Sequence, residues 1–413
     1  MSTVLARSDV LLSAFACDPN MGSEPYVGWK WLKLLLACDL HVTVITRRQH
    51  LAALEQACAG LGTVRFIAFD LPGMSKLDHR ARLIKLYYIA WQLAAFFVAL
   101  RRRVGIRWKF AMHVTYNVVD FPGFMWLLPR TRFVWGPVGG GQCPPRWSRV
   151  LYGASWWKQR VRCAIKQSLR WNPIVYLATR KADAVFVANA ETEARLPAAF
   201  AGKYVRMLET AIDVELDQDH AIGERQAKVT FLWVGQLEPR KGLPLLLDAL
   251  VAVRTRQLAA FDQMKVLVVG DGPDKHSLNQ RAYSLGLSDR VTFLGKLRFD
   301  QMRQCYGSAD AFVFTSVQDT SGNVVLEAIA SGLPTIAFNH QGVAEMLDSG
   351  CAYLLSPTSY ETAVEQLADS LVRVTTEPKE ASAMGIQAKW HAAKRHSWES
   401  RRATFLEALH AIF

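Results

Sequence analysis

Residues 309–346 read ADAFVFTSVQDTSGNVVLEAIASGLPTIAFNHQGVAEM, an apolar run that stops at a short polar turn and restarts as a helical pattern. A strand that feeds a helix through so few residues is the building unit of an α/β fold with a parallel sheet. After Ala311 to Val317 come Asp319, Thr320, Ser321, Gly322 and Asn323, all small or turn-forming, and then the helical run from Val324 to Ala330. The first N–H groups of a helix have no intrahelical partner and lie at the positive end of its dipole, so this turn is suited to an anion, commonly a phosphate. Asp319 and Glu327 stand eight apart, one before the predicted helix and one inside it, where carboxylates can accept hydrogen bonds from sugar hydroxyls. A capped helix with two solvated acids would share the pattern.

The same alternation runs along the whole chain. Strands are predicted at residues 10–16, 42–46, 64–69, 111–115, 133–135 and 184–187 in the first half, and at 229–234, 266–269, 291–294, 311–314, 335–338 and 352–355 in the second, with helical patterns between them. With 413 residues the chain is long enough for two cores, and 51% apolar against 21% charged residues marks it as globular. The expectation is two doubly wound, Rossmann-like domains, 1–208 and 209–395, with a hinge between about Thr210 and Lys228 and a last helix from about Trp398 to Phe413. Ligands of such sheets bind beyond the C-terminal ends of the strands.

Charge is lopsided. Residues 1–208 hold 29 Lys and Arg against 11 Asp and Glu, whereas 209–413 hold 20 against 25, so the basic excess lies entirely in the first half. Within 76–181 the count is 20 to 2, interleaved with Tyr87, Tyr88, Trp91, Phe96, Phe97, Trp108, Trp156, Trp157 and Trp171. Basic and aromatic residues mixed on helices suit an anionic membrane surface. No nucleic-acid motif accompanies them, so nucleic acid is not the expected partner. Leu83 to Leu100 is nearly long enough to cross a bilayer, but Lys85 and Gln92 interrupt it, and a span here would split the strand–helix alternation; a buried or surface-lying amphipathic helix is expected. Seven scattered cysteines read as reduced thiols, without the paired spacing of a zinc site, so no metal is expected. The N-terminal MSTVLARSDVLLSAFACD reads as a first strand instead of a signal peptide, which points to the cytoplasm.

Four further motifs carry polar chemistry at strand ends. In FLWVGQLEPRKG, residues 231–242, a strand ends at Gly235 and cations Arg240 and Lys241 follow at a helix start, placed to clamp a diphosphate. VVGDGPDKHSL, 268–278, makes a tight turn through Gly272 that backbone geometry alone could require; it is no GxGxxG fingerprint, so no dinucleotide is implied. ACDPNMGSEPYVGWKW, 16–31, places Gly22 before a helix carrying Trp29, which reads as core. AMHVTYN, 111–117, ends a strand at His113, and WGPVGGGQCPP, 135–145, supplies three consecutive glycines able to close over an acceptor.

Taken in order, Asp319, Glu327, Ala328, Gly332 and Pro334, with Gly235, Lys241, His113 and the Gly22 loop, resemble the motif set of the retaining GT-B nucleotide-sugar glycosyltransferases of family four, the glycosyl transferases group 1. Three positions depart from the pattern: Asp319 stands where the family has Glu, Gln236 where many members have Arg after the first Gly, and Ser23 where a second Gly is common. The resemblance implies a GT-B fold, two Rossmann-like domains facing a cleft, with the last helix, 396–413, packing back on the first. It implies that Glu327 binds the nucleotide ribose and that Asp319 lies near the transferred sugar. Lys241, with Gln236 or Arg240 in place of the family arginine, would hold the diphosphate beside the Thr320, Ser321, Gly322, Asn323 and Val324 helix mouth. Gly272 would lie near the base, and Gly22 and His113 would face the anomeric carbon. The implied reaction needs no metal and no cofactor beyond the nucleotide diphosphate sugar, and its acceptor is expected to be a saccharide, most plausibly lipid-linked. A nucleotide-sugar 2-epimerase of the same fold and a non-enzymatic basic membrane or nucleic-acid binding protein are the rival expectations.

Overall fold

The computed structural model describes residues 7–22, 24–73, 84–103, 105–116, 118–213 and 228–413. Most of the region expected to hinge, and Ser23, lie outside the described residues. Among the described residues thirteen strands form two sheets. The first comprises β1 (Asp9–Ala14), β2 (His41–Thr46), β3 (Val64–Ala68), β4 (Phe110–Val114), β5 (Arg132–Val138), β6 (Ala182–Val187) and β7 (Tyr204–Arg206), in the order β3-β2-β1-β4-β5-β6-β7. The second comprises β8 (Val229–Val234), β9 (Met264–Val269), β10 (Val291–Gly295), β11 (Ala311–Phe314), β12 (Thr335–Phe338) and β13 (Ala352–Leu355), ordered β10-β9-β8-β11-β12-β13. Every pairing is parallel. In each sheet the order reverses between the first strand and the fourth, β1 against β4 and β8 against β11, which creates the switch point where ligands of such sheets bind.

All twelve expected strands exist, within two residues at most ends. Phe133–Trp135 grows to Arg132–Val138, and β7 had no expectation, because three half-exposed residues at a sheet edge carry no alternation to read. The central strands are buried on both faces, as parallel strands covered by helices must be.

The chain divides into two compact units, the first comprising 1–141, 164–210 and 401–413, the second 142–163 and 211–400. The interval 142–163 therefore joins the second unit, where 1–208 had been expected to stay together. Its reason is packing: Tyr152 is buried in the second core with Phe231, Trp233 and Leu246, and the Trp147 ring lies 5.3 Å from that of Phe338. The last helix, Trp398–Ile412, contributes Phe405 to the first core, 5.7 Å from Trp31 and 5.4 Å from Phe186 between ring centres. No pattern in the interval 142–163 marks it for one core over the other.

Two expectations need correction. Cys143 and Cys163 form a disulfide, because the helical excursion between them brings their Cα atoms to 5.8 Å; Cys17, Cys38, Cys58, Cys305 and Cys351 are free. Several aromatics assigned to a lipid-facing surface are core: Tyr87, Tyr88, Trp91 and Trp108 are buried, with Phe15 packed edge-on against the first three. Tyr87, Tyr88 and Trp91 lie on the sheet-facing side of helix Ile84–Arg102, whose opposite side exposes Leu86, Ile89, Leu93, Phe97 and Leu100. Among the described residues this is the one helix long and apolar enough to cross a membrane, but its buried face is the floor of the first core.

Candidate functional site

The second unit gathers most of its polar chemistry at its switch point. Gly235 directly follows β8, and residues 315–322 follow β11, the strand paired beside it. Between β8 and its helix a single 3₁₀ turn, Pro239–Lys241, presents Arg240 and Lys241. The turn is locked from beneath. Gly242 sits at φ +67°, and a Cβ there would lie 2.2 Å from the Thr315 carbonyl oxygen, so only glycine lets the two loops close on each other. Thr315 Oγ1 donates to Lys241 O at 2.8 Å and accepts from the buried Trp233 indole at 2.9 Å.

That closure brings two sequence-distant groups together. Lys241 Nζ donates directly to Asp319 Oδ2, and Arg240 Nη1 lies 3.7 Å from the same oxygen while its Nε holds Glu238 at 2.7 Å. Asp319 is thus first a partner of the cations, a role its position in the motif does not reveal. The loop carrying it is held on its other side by Gln341, which accepts from the Asp319 N–H at 2.8 Å and donates to the carbonyls of Val317 and Cys143 at 3.2 and 3.1 Å. Gln142 donates to Thr320 Oγ1 at 2.6 Å. Neither glutamine was singled out from the sequence, and no spacing signal marks them. Their role depends on contacts made 178 and 198 residues away.

The helix Asn323–Ala330 begins at Gly322 with no side-chain cap, so its mouth is left for a ligand. Ser321 donates to Asn323 Oδ1 at 3.3 Å, and Val324 is half-buried at the first turn. One turn further in, Glu327 accepts a 2.8 Å hydrogen bond from Tyr306, a buried residue of helix Phe299–Ser308 that sequence reasoning missed. Glu327 is solvent-accessible on its helix, yet crowding by surrounding protein raises its pKa above the usual carboxylate value, and the Tyr306 hydrogen bond pulls the other way.

Beside this constellation lies a cavity of ≈390 Å³ at the ends of β8, β9 and β10, lined by Gly235, Gln236, Gly270, Asp271, Lys296 and Met302 among others. Gln236 faces it, and Lys296 supplies a cation there that the sequence did not suggest. Gly272 does not line it. A Cβ at Gly272 would come within 2.5–2.8 Å of the Leu237 backbone, so close packing of two turns accounts for that glycine.

In the first unit His113 ends β4 and Gly22 precedes helix Glu24–Ala37 beyond β1, again at a switch point. Gly22 is exposed and its Cβ position open, so packing does not demand a glycine. His113 is wholly buried, its Nε2 is 2.9 Å from Tyr88 Oη, and burial pulls its pKa down to about 4, so it is neutral near pH 7. Glu24, not picked out earlier, accepts from the Tyr116 N–H at 2.7 Å and ties the helix start to the loop after β4. For a cation, Asp348, Cys351 and His391 offer ligand-type atoms within 4.8 Å of one another, a grouping that cysteine spacing could not reveal because His391 arrives from a later helix.

Residues 215–390 match the family model described as glycosyl transferases group 1. That stretch of the chain is similar to the glycosyl transferases group 1 family. It contains Arg240, Lys241, Asp319 and Glu327. Among relatives, the GDP-mannose-dependent alpha-(1-6)-phosphatidylinositol monomannoside mannosyltransferase of Mycobacterium tuberculosis (strain CDC 1551 / Oshkosh) is 29% identical over 48% of this chain and 51% of its own. The D-inositol 3-phosphate glycosyltransferase of Rhodococcus opacus (strain B4) is 34% identical over 45% and 41% respectively. The matches thus span about half the length of the curated relatives. Over nearly the whole chain the fold is that of solved GT-B glycosyltransferases: Anabaena HepE in complex with UDP and glucose superposes with a TM-score of 0.63 at 17% identity, covering 98% of this chain and 100% of that one. Sucrose-phosphate synthase from Thermosynechococcus elongatus does so with 0.66 at 18%, over 98% and 99%.

Proposed function

We propose that this protein is a retaining glycosyltransferase that moves a sugar from a nucleotide diphosphate sugar to a lipid-linked acceptor at the cytoplasmic face of a membrane. The observation that carries the reading is the β8–β11 constellation: two cations meeting Asp319 beside an uncapped helix start, with Glu327 and its tyrosine one turn behind. Lys241, Arg240 and the first-turn amides take the diphosphate, and Glu327 takes the ribose hydroxyls. As a diphosphate approaches, it competes with Asp319 for the Lys241 ammonium, which frees the Asp319 carboxylate to accept from a hydroxyl of the sugar.

Transfer on one face of the sugar then needs no protein nucleophile. The bond between the anomeric carbon and the phosphate oxygen breaks, the acceptor oxygen bonds to that carbon on the same face, and the acceptor proton passes to the leaving diphosphate. Cations and amides stabilise the charge that develops there, the work a metal would otherwise do.

Support for a lipid acceptor comes from the phosphatidylinositol monomannoside named for the mycobacterial relative and from this chain's own surface. Helix Trp156–Ser168 buries no residue and exposes Trp157, Val161 and Ile165 at four-residue spacing, flanked by Lys158, Arg160, Arg162 and Lys166. The exposed side of Ile84–Arg102 by itself is likewise apolar and ends at Arg101 and Arg102. The test is a panel of nucleotide sugars screened by thermal shift and slow hydrolysis, on wild-type protein and Glu327→Ala. One donor that stabilises only the wild type is expected; no shift with any donor would remove the reading.

A further inference from the structure

A second cavity, ≈860 Å³, opens in the first unit at the end of its sheet opposite to His113. Its wall is built from the segments that lead into β4, β5 and β6: Arg107 and Lys109, then Arg130 and Arg132, then Lys181. His113 lies near the other end of β4, roughly 10 Å along the strand from Phe110, so the two places are separated by the length of the strand. Nothing in the proposed transfer uses this end.

Five cationic side chains line the cavity against one acidic side chain, Asp183. That carboxylate is already engaged: it accepts from the Phe133 N–H at 3.0 Å and lies 4.0 Å from Arg132 Nε. The floor is aromatic. Phe413 packs 6.0 Å from the core ring of Phe110, with the Arg132 guanidinium 4.5 Å and the Lys109 ammonium 5.0 Å from its centre. A guanidinium lying over a ring keeps its N–H edge available for an oxyanion while its stem is fixed. Converging cations that repel one another at this density are the arrangement expected for a multiply charged anion, and the volume matches that of ligand sites.

We propose that this cavity is a second anion site that takes a phosphate-bearing group, distinct from the donor site and independent of the donor-site reading. The phosphate can belong to a lipid headgroup or to a free phosphorylated molecule. Both present tetrahedral oxyanions that arginine forks grip in the same way.

The experiment uses the full chain in a Lys241→Ala background, so that the other phosphate-binding region does not mask the signal. Inorganic pyrophosphate is titrated calorimetrically into this protein and into the same protein carrying Arg107→Gln and Arg130→Gln. These two side chains are exposed, so folding is expected to be kept, and circular dichroism checks it. Saturable binding that weakens at least tenfold with the two substitutions, and that falls with added salt, is expected. Vesicles of phosphatidylglycerol and phosphatidylcholine then separate the sources: competition with pyrophosphate assigns a headgroup, and its absence assigns a free ligand. Pyrophosphate binding that is missing, or indifferent to the loss of both arginines, overturns the proposal. A third readout guards against a general charge effect: the thermal shift given by a nucleotide sugar in protein with intact Lys241 must be unchanged by Arg107→Gln and Arg130→Gln.

Discussion

The two switch points use the same topology for opposite electrostatics. At β8–β11 the strands end in a lattice of charges and amides: Lys241, Arg240, Asp319, Glu238 and an open helix mouth. At β1–β4 they end in a buried, neutral histidine roofed by tyrosine, with one glutamate spent on a backbone N–H. Identical strand order therefore fixes where chemistry can sit, and the loop residues decide its sign.

The sharpest break of this contrast is Lys241→Ala. Loss of a charged contact to the nucleotide should cost about 2–4 kcal/mol, a fall of tens- to a thousand-fold in kcat/KM with the fold retained. Steady-state kinetics beside a melting curve checks it, and near-normal transfer would break the assignment of the charged switch point. Comparable in size, but seen in stability and not in rate, is the acid response of His113. Its pKa is lowered from 6.5 to about 4 in the folded protein, so the unfolded chain binds the extra proton first. Stability from this group is full above about pH 6.5 and is lost as pH falls towards 4, by roughly 3 kcal/mol in all. Urea unfolding at pH 7 and pH 4.5 should show that loss in the wild type and a smaller one in His113→Gln.

Next comes Tyr306→Phe, which removes the hydrogen bond to Glu327 while keeping the buried ring. It should weaken nucleotide-sugar binding by about 1–1.5 kcal/mol with the fold retained. Calorimetric Kd values for wild type and variant decide it, and an unchanged affinity would mean that Glu327 is positioned by its helix alone. Smallest is Arg102→Glu on the basic unit, expected to weaken binding to anionic vesicles by about 1 kcal/mol per cation lost, and to do so less at high salt. Equal binding of both proteins to neutral and anionic vesicles would reject the membrane surface and leave a soluble acceptor.

Legibility followed the range of the contact. Lys241 and Glu327 could be named because each stands within a few residues of a strand end or helix start, and local backbone geometry fixes where such positions point. Asp319 could be picked out as a candidate but not as the partner of Lys241, since that pairing needs β8 and β11 to lie side by side across 78 residues. Tyr306, Gln142 and Gln341 gave no signal at all: a tyrosine in a helix or a glutamine in a loop has the same pattern whether or not it meets a distant carboxylate. The aromatic residues of 76–181 show the converse error. Composition counted Tyr88 and Trp157 alike, while the sheet buried one beside His113 and left the other in solvent.

What the sequence alone determined is the parallel α/β architecture, every strand but β7 and the helix-mouth motif, because periodicity and turn chemistry act over a handful of residues. Tertiary structure alone decided that 142–163 serves the second core, that Cys143 meets Cys163, that Asp319 neutralises Lys241, and that five cations converge on one cavity. Each of these depends on bringing together segments far apart in the chain, and that arrangement is set by how the two cores fill with side chains, which no local pattern encodes.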